Sequence, residues 1–411
     1  MTAGRDLVII GGGLTAHSAA LAARHNGYDG KITILSDESA LPYDRTPLSK
    51  GVLQGKQESD QLGFQPDGNY SADDITVFTD TRATAFDLEE RTVETSSGDK
   101  LTFDDLLIAT GARPIHLDGA GFDLDGVHYL RTTDDADSLK SDLETVTSVV
   151  VIGAGFIGSE VAASARSLGK QVALVDIADT PMSGALHPDI TAVCSAIHED
   201  HGVILKMNSR VDELRGSSRV EEAVLNDGST IDCDLVVVGV GVRPNVELFA
   251  ESGLEIDNGI VTDEFCRTSM PNVYAAGDVA NWWHPELKQR IRIEHFDNAG
   301  SQGTFVGKVI AGAMDEPFAP IPYFWSDQYD TNIQYAGFAP DDADVVIRGN
   351  PEERSITAFY LDDGAICAAV TVNNAREFRS CRRLVAASAE IDRETLQSPD
   401  TDIRKLAREY R

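Results

Sequence analysis

Asp6-Leu-Val-Ile-Ile-Gly11-Gly-Gly13-Leu-Thr-Ala16 decides the fold, because the chain repeats it 142 residues later as Ser148-Val-Val-Val-Ile-Gly153-Ala-Gly155-Phe-Ile-Gly158. Each copy runs from a short β-branched apolar stretch into glycines and on into an alanine-rich helical stretch. A second apolar stretch then ends in acid: Ile32-Thr-Ile-Leu35 before Asp37, and Val172-Ala-Leu-Val175 before Asp176. The first glycine permits the tight strand-to-helix turn, the second lets backbone approach a pyrophosphate, and a small third residue lets helix and strand pack closely. The helix start adds unpaired N–H groups and a partial positive charge. The acid accepts hydrogen bonds from a ribose diol. One such motif is weak; two in full context predict an α/β protein with two Rossmann-like domains, each holding a dinucleotide.

Outward from the first motif comes Leu41-Pro-Tyr-Asp-Arg-Thr-Pro-Leu-Ser-Lys50, too proline-rich for a helix and too long for a simple turn. Short alternating strands are expected around 77–86 and 92–94. An apolar strand from Asp105 ends at Thr110-Gly111, and a domain crossing follows Arg113. The late strand Leu235–Val238 leads into the turn Gly239-Val-Gly-Val-Arg-Pro-Asn245, and Asn272-Val-Tyr-Ala-Ala-Gly-Asp278 reads as a strand closed by glycine and a carboxylate. A helix is expected over 301–313. Beyond Pro320 the texture turns aromatic and strand-like, then arginine-rich and helical, which suggests a third, α/β domain. The expected division is 1–113 with 244–320, then 114–243, then 321–411.

A length of 411 residues suits two to three domains, and 42% hydrophobic residues with 35 glycines suit a globular α/β chain. The net charge of −32 argues against nucleic acid or an anionic membrane as partner, because phosphate binding needs clustered cations. Nothing at the N-terminus resembles a signal peptide, and no apolar run has the length of a membrane span, so a cytoplasmic protein is expected. The cysteines, Cys194, Cys233, Cys266, Cys367 and Cys381, form no metal-ligand spacing, and none lies in the first 193 residues.

These motifs, with Ala109-Thr-Gly111, Gly153–Glu160, Gly239–Asn245, Ala276-Gly-Asp278 and Phe324-Trp-Ser-Asp-Gln-Tyr329, resemble the FAD-dependent NADH:ferredoxin reductases of bacterial oxygenase systems. The resemblance covers nearly the whole chain. It implies an FAD domain interrupted by an NADH domain, then a C-terminal interface domain. On the FAD side it assigns Gly11, Gly13, Thr15 and Ala16 to the pyrophosphate turn, Asp37 to the adenosine ribose and Ala83 to the adenine part. Thr110, Gly111 and Arg131 join them, Asp278 takes the ribityl chain, and Arg45, Lys50, Phe296 and Trp325 lie by the flavin ring. On the NADH side it assigns Gly153, Gly155, Ile157, Gly158, Glu160, Asp176 and Gly241. Lys50 and Glu160 stand as the catalytic pair, expected close together at the nicotinamide–flavin junction. By residue type alone, Asp278 also suits a helix cap, Trp325 a core position, Lys50 a solvated surface and His295 simple packing.

Relatives of this architecture that reduce disulfides or peroxides need a cysteine just after the first βαβ unit, where a thiolate relays electrons. Here that region reads Ser39-Ala-Leu-Pro-Tyr-Asp-Arg-Thr-Pro47. Disulfide chemistry is therefore excluded, and a 2Fe–2S ferredoxin-type acceptor serving a cytochrome P450 or a ring-hydroxylating dioxygenase fits best. A rubredoxin reductase or nitrite reductase subunit is the alternative. An interaction protein resembling apoptosis-inducing factor is less apt, lacking its basic surface. Two departures from the resemblance stand out: Thr180-Pro-Met-Ser-Gly184 holds no arginine for a 2′-phosphate, and Thr304 replaces a docking arginine of some relatives. Trp325 and the stretch Arg376, Arg379, Arg382 and Arg383, spaced by three and four, make a candidate docking stripe; a solvated helix face is the plainer reading.

Overall fold

The computed structural model describes residues 5–65 and 68–410. They form two compact units: the described residues of Met1–Arg45, Asp60–Arg113 and Val242–Pro320, and those of Thr46–Ser59, Pro114–Gly241 and Ile321–Arg411.

In the first unit, Leu7–Ile10 is the middle strand of a five-stranded parallel sheet. The order is Val273–Ala275, Asp105–Ile108, Leu7–Ile10, Ile32–Leu35, Ile75–Phe78. A strand buried on both faces must be apolar throughout, and all four residues of Leu7–Ile10 are buried. Alternation divides them. Leu7 and Ile9 pack with the alanines of helix Leu14–His25 and with Val306 and Ile310 of helix Phe296–Ile310. Val8 and Ile10 face Val93, Phe249 and the antiparallel sheet Ala83–Asp87, Thr92–Thr95, Lys100–Thr102.

The second unit repeats this plan. Its parallel sheet runs Ile204–Lys206, Gln171–Val175, Ser148–Ile152, Leu235–Val238, Val127–Tyr129. Val149 and Val151 meet helices Thr133–Thr145 and Phe156–Ser167, while Val150 and Ile152 meet the antiparallel sheet Val211–Arg215, Glu222–Leu225, Thr230–Asp232. Residues beyond 320 build a five-stranded antiparallel sheet in the order Tyr323–Gln328, Thr331–Gly337, Ala365–Val372, Ser355–Asp362, Asp344–Asn350. One face packs on helix Pro188–Asp200 through Ile333, Ile356 and Val370. The other carries helix Ala375–Ala386 on Val346, Phe359 and Ala369.

Two local expectations need correction. The helix anticipated over 301–313 spans Phe296–Ile310. Its glycines are contact points: a Cβ on Gly303 would stand 2.6 Å from the Thr15 carbonyl oxygen, and one on Gly307 2.3 Å from that of Ala19. The proline-rich loop also ends in a turn of π-helix, Leu48–Val52, carried on fingerprint helix Phe156–Ser167 by the Ser164 hydroxyl donating to the Ser49 carbonyl at 2.7 Å.

Candidate functional site

The first cradle lies where Leu7–Ile10 enters helix Leu14–His25. Gly11 has φ +122°, and a Cβ there would stand 2.1 Å from the Ala109 carbonyl oxygen. Only glycine fits that turn. Gly13 is the N-cap, its backbone extended and without a side-chain cap, and a Cβ on it would meet nothing within 4 Å. The open glycine and the uncapped helix start leave room and N–H groups for a phosphate. Ala16 is fully buried, and the Thr15 hydroxyl donates to the Ala299 carbonyl at 3.1 Å. Asp37 is exposed beside the same sheet end, ion-paired to Arg82 at 3.2 Å.

Arg45, Ala83, Thr110, Gly111, Asp278 and Phe296, also assigned to this cofactor, fall in the same unit, whereas Lys50, Arg131 and Trp325 belong to the second. Asp278 is buried in the turn Gly277–Val279 and adds its field to that of Glu38 and Tyr43 around Arg45. Arg45 is bound to Glu38, accepted by the Tyr43 hydroxyl at 2.7 Å and stacked 4.8 Å over the Tyr43 ring. Glu38 and Tyr43 went unnoticed in the sequence, where Glu38 was one acid among many. The Thr110 hydroxyl donates to the Asn245 carbonyl at 2.8 Å, while Gly111 turns with φ +64° and accepts from Asn245 N–H at 3.0 Å. Ala83 begins its strand, and Phe296 opens its helix 6.5 Å from the ring of Phe64. His295, the N-cap of that helix, has its imidazole pushed down to about 4 by burial, against the opposing pull of Asp278. An open phosphate cradle followed by a buried carboxylate fits a dinucleotide with a polyol chain, as FAD has.

The second cradle has the same local geometry. Gly153 has φ +100° with its would-be Cβ 2.3 Å from the Gly239 carbonyl oxygen. Gly155 caps helix Phe156–Ser167 without a side chain and has nothing within 4 Å. A Cβ on Gly158 would strike the Gly153 carbonyl oxygen at 1.8 Å, so the third glycine is needed for packing. Ile157 is 46% exposed, unusual for isoleucine and suited to an apolar ligand face. Beyond the glycines opens a cleft of about 630 Å³ lined by Asp176, Ser209, Arg210, Asp212 and Gly241. Asp176 is fixed there: its Oδ2 accepts the Ala154 N–H at 2.5 Å and its Oδ1 the Ala178 N–H at 2.8 Å. The sequence showed no cation near Asp176; the fold brings Arg210 to the same cleft from a later turn.

The second unit also brings Lys50 and Glu160 together. Lys50 Nζ lies 3.1 Å from both carboxylate oxygens, and Glu160 is only 3% exposed. The same carboxylate accepts the Ser49 hydroxyl at 2.5 Å, the Ser326 hydroxyl at 2.9 Å and the Asp327 N–H at 3.3 Å. A buried carboxylate is tolerable only with this density of donors. Ser49 and Ser326 were missed, because isolated serines carry no spacing signal. Arg131 immediately precedes the capping box of helix Thr133–Thr145. Trp325 stacks on Tyr323 at 5.7 Å, and the Arg382 guanidinium sits 4.9 Å over the Tyr323 ring. On helix Ala375–Ala386, Arg376, Arg379 and Arg383 are exposed, while Arg382 is turned toward Tyr323.

All five cysteines are free; Cys367 is half-buried and the other four buried, with burial pushing the Cys194 and Cys233 thiols up to about 12. Among the described residues, no group of His, Cys, Asp and Glu is arranged to hold a metal, and no helix is long and apolar enough to cross a membrane.

Residues 5–303 match the family of pyridine nucleotide-disulphide oxidoreductases, and residues 323–407 match the reductase C-terminal family. The chain is 36% identical over 403 residues to rhodocoxin reductase of Rhodococcus erythropolis, covering 98% of this chain and 94% of that protein. It is 37% identical over 400 residues to the ferredoxin–NAD(+) reductase component of the anthranilate 1,2-dioxygenase system of Burkholderia cepacia, covering 97% and 98%. The reductase in the crystal structure of the covalent putidaredoxin reductase–putidaredoxin complex superposes with TM-score 0.95 at 30% identity, covering 100% of this chain and 99% of that one. With two glycine cradles, an antiparallel C-terminal sheet and these matches along its length, the chain belongs to the pyridine nucleotide-disulphide oxidoreductase family, within its branch of ferredoxin reductases of oxygenase systems.

Proposed function

We propose that this chain is an FAD-dependent NADH:ferredoxin reductase that passes electrons to a 2Fe–2S protein supplying a cytochrome P450 or a ring-hydroxylating dioxygenase in the cytoplasm. One observation carries the reading: two dinucleotide cradles of one design in a chain whose five cysteines are all unpaired thiols. Electrons entering as hydride then have no disulfide to receive them. FAD, when bound, supplies the conversion from a two-electron donor to a one-electron acceptor.

The residues divide the work. Residues 1–113 and 244–320 hold FAD, with Gly11, Gly13, Thr15 and Ala16 at the pyrophosphate, Asp37 at the ribose and Asp278 at the polyol. Residues 114–243 hold NADH through Gly153, Gly155, Ile157, Gly158, Asp176 and Gly241. Asp176 favours NADH, because a fixed carboxylate accepts from a 2′-hydroxyl and repels a 2′-phosphate. Lys50, oriented by Glu160, places a cation where negative charge develops on reduction. Residues 321–411 receive the acceptor at Trp325 and the face of Arg376, Arg379 and Arg383, with Arg382 bracing the aromatic stack. Local charge complementarity steers encounter even on an acidic protein.

The test is direct. Purified yellow protein supplied with NADH should reduce a 2Fe–2S ferredoxin of an oxygenase system, with kcat/KM for NADH above that for NADPH. Reduction of a disulfide substrate instead of the iron–sulfur protein would refute it.

A further inference from the structure

The cleft of the second unit contains a cation that the NADH reading leaves unused. Arg210 lines the same space as Gly153, Gly155 and Asp176. The two turns are stitched together: Ser209 N–H donates to the Asp176 carbonyl and Asn208 N–H to the Ala178 carbonyl, both at 2.8 Å. Arg210's own N–H donates to Asn226 Oδ1 at 3.0 Å, which holds its backbone in place. The guanidinium is 68% exposed and donates through Nε to Asp212 Oδ1 at 2.6 Å. Its two Nη groups make no hydrogen bond among the described residues. Carboxylates at Asp118, Asp176 and Asp212 therefore outnumber the one cation along this wall.

We propose that Arg210 is the cation of a latent 2′-phosphate subsite, and that Asp212, by holding its guanidinium, keeps that subsite closed to NADPH. A 2′-phosphate needs a guanidinium or ammonium within reach, and arginine offers it a planar fork of donors. Asp176 supplies the direct repulsion, and Asp212 removes the attraction that would offset it. The pair is exposed and screened, so the restraint is slight and one substitution releases it. No spacing rule reveals this arrangement, because helix Pro188–Asp200 and strand Ile204–Lys206 separate Arg210 from Asp176 along the chain. The inference rests on the reading of this cleft as the adenosine end of the NADH site.

Calorimetry with adenosine fragments tests it without turnover. FAD-loaded protein, its first cradle filled, is titrated with AMP and with 2′,5′-ADP. The variants are Asp212→Asn, Asp212→Ser, Arg210→Ala and the double variant Arg210→Ala with Asp212→Asn. Wild type should bind AMP more tightly than 2′,5′-ADP. Asp212→Asn and Asp212→Ser should each tighten 2′,5′-ADP by about fivefold while leaving AMP within about twofold. The gain should vanish in the double variant and shrink as salt rises. Unchanged 2′,5′-ADP affinity in both Asp212 variants, with AMP still bound, overturns the latent subsite and leaves the NADH reading standing. Failure of wild type to bind AMP at all overturns both.

Discussion

Glu160 shows how much structure one side chain can require. Its carboxylate is nearly sealed from water, yet four groups donate to it: Ser49, Lys50, Ser326 and the Asp327 backbone. Removing Lys50 leaves three neutral donors around a buried charge. Lys50→Ala should therefore destabilise by somewhat less than the ~3–5 kcal/mol of breaking a fully buried pair, because Lys50 keeps 21% exposure. It should also slow flavin reduction by NADH while FAD stays bound. Ser326→Ala removes one donor of several and should cost ~1 kcal/mol. Thermal melts and stopped-flow reduction separate these outcomes; equal, negligible effects would make the pair an ordinary surface contact. Lys50 and Glu160 were legible as a pair only through the family resemblance that their motifs carry; by residue type alone Lys50 suits a solvated surface. Ser326 could not be found that way, since only the packing of the C-terminal sheet brings it to the carboxylate.

Among the elements, the parallel strands were the most legible. A strand buried on both faces must be continuously apolar, and Leu7–Ile10, Ser148–Ile152 and Leu235–Val238 carry that pattern locally. The helix Phe296–Ile310 was misjudged at both ends, and its interior answers to distant residues: Gly303 and Gly307 are demanded by the backbone of helix Leu14–His25, not by their neighbours. The arginine helix was anticipated from spacing, and its three exposed arginines give a testable surface. Charge reversal at Arg379 and Arg383 should raise KM for the iron–sulfur partner at low salt, with ferricyanide reduction unchanged. An unaltered KM across ionic strengths would place docking elsewhere.

Helix Pro188–Asp200 carries a second consequence. His198 is fully buried, with Nδ1 3.5 Å from the Tyr329 hydroxyl and Nε2 without a hydrogen-bond partner among the described residues. Burial and the charge of His201 push its imidazole down to about 4, against a smaller opposing pull from Gln328. The unfolded chain takes up this proton near pH 6.5 and the native chain resists it. The stability is thus fully present above pH 6.5 and is lost as pH falls through the window toward 4, by ~3 kcal/mol at most. Urea melts at pH 7 and pH 5 should show a smaller difference for His198→Leu than for wild type. An identical difference would mean that His198 does not titrate in this window.

At the scale of the whole molecule, the governing facts are a duplicated dinucleotide plan and the positions of five thiols. Both can be read in the linear chain, since glycine fingerprints are local and cysteines can be counted. What the chain conceals is which distant residues share a cleft, as Arg210 does with Asp176. The net charge of −32 likewise hides a local cationic face on helix Ala375–Ala386. The central claim is that electrons leave the flavin directly, without a thiol relay, and an anaerobic NADH titration with thiol counting tests it most directly. The expected result is full flavin reduction by one NADH per FAD and an unchanged count of five thiols in the denatured protein. Two equivalents of oxidised 2Fe–2S ferredoxin should then become reduced on mixing. Uptake of a second NADH per chain, accompanied by two new thiols, would contradict it.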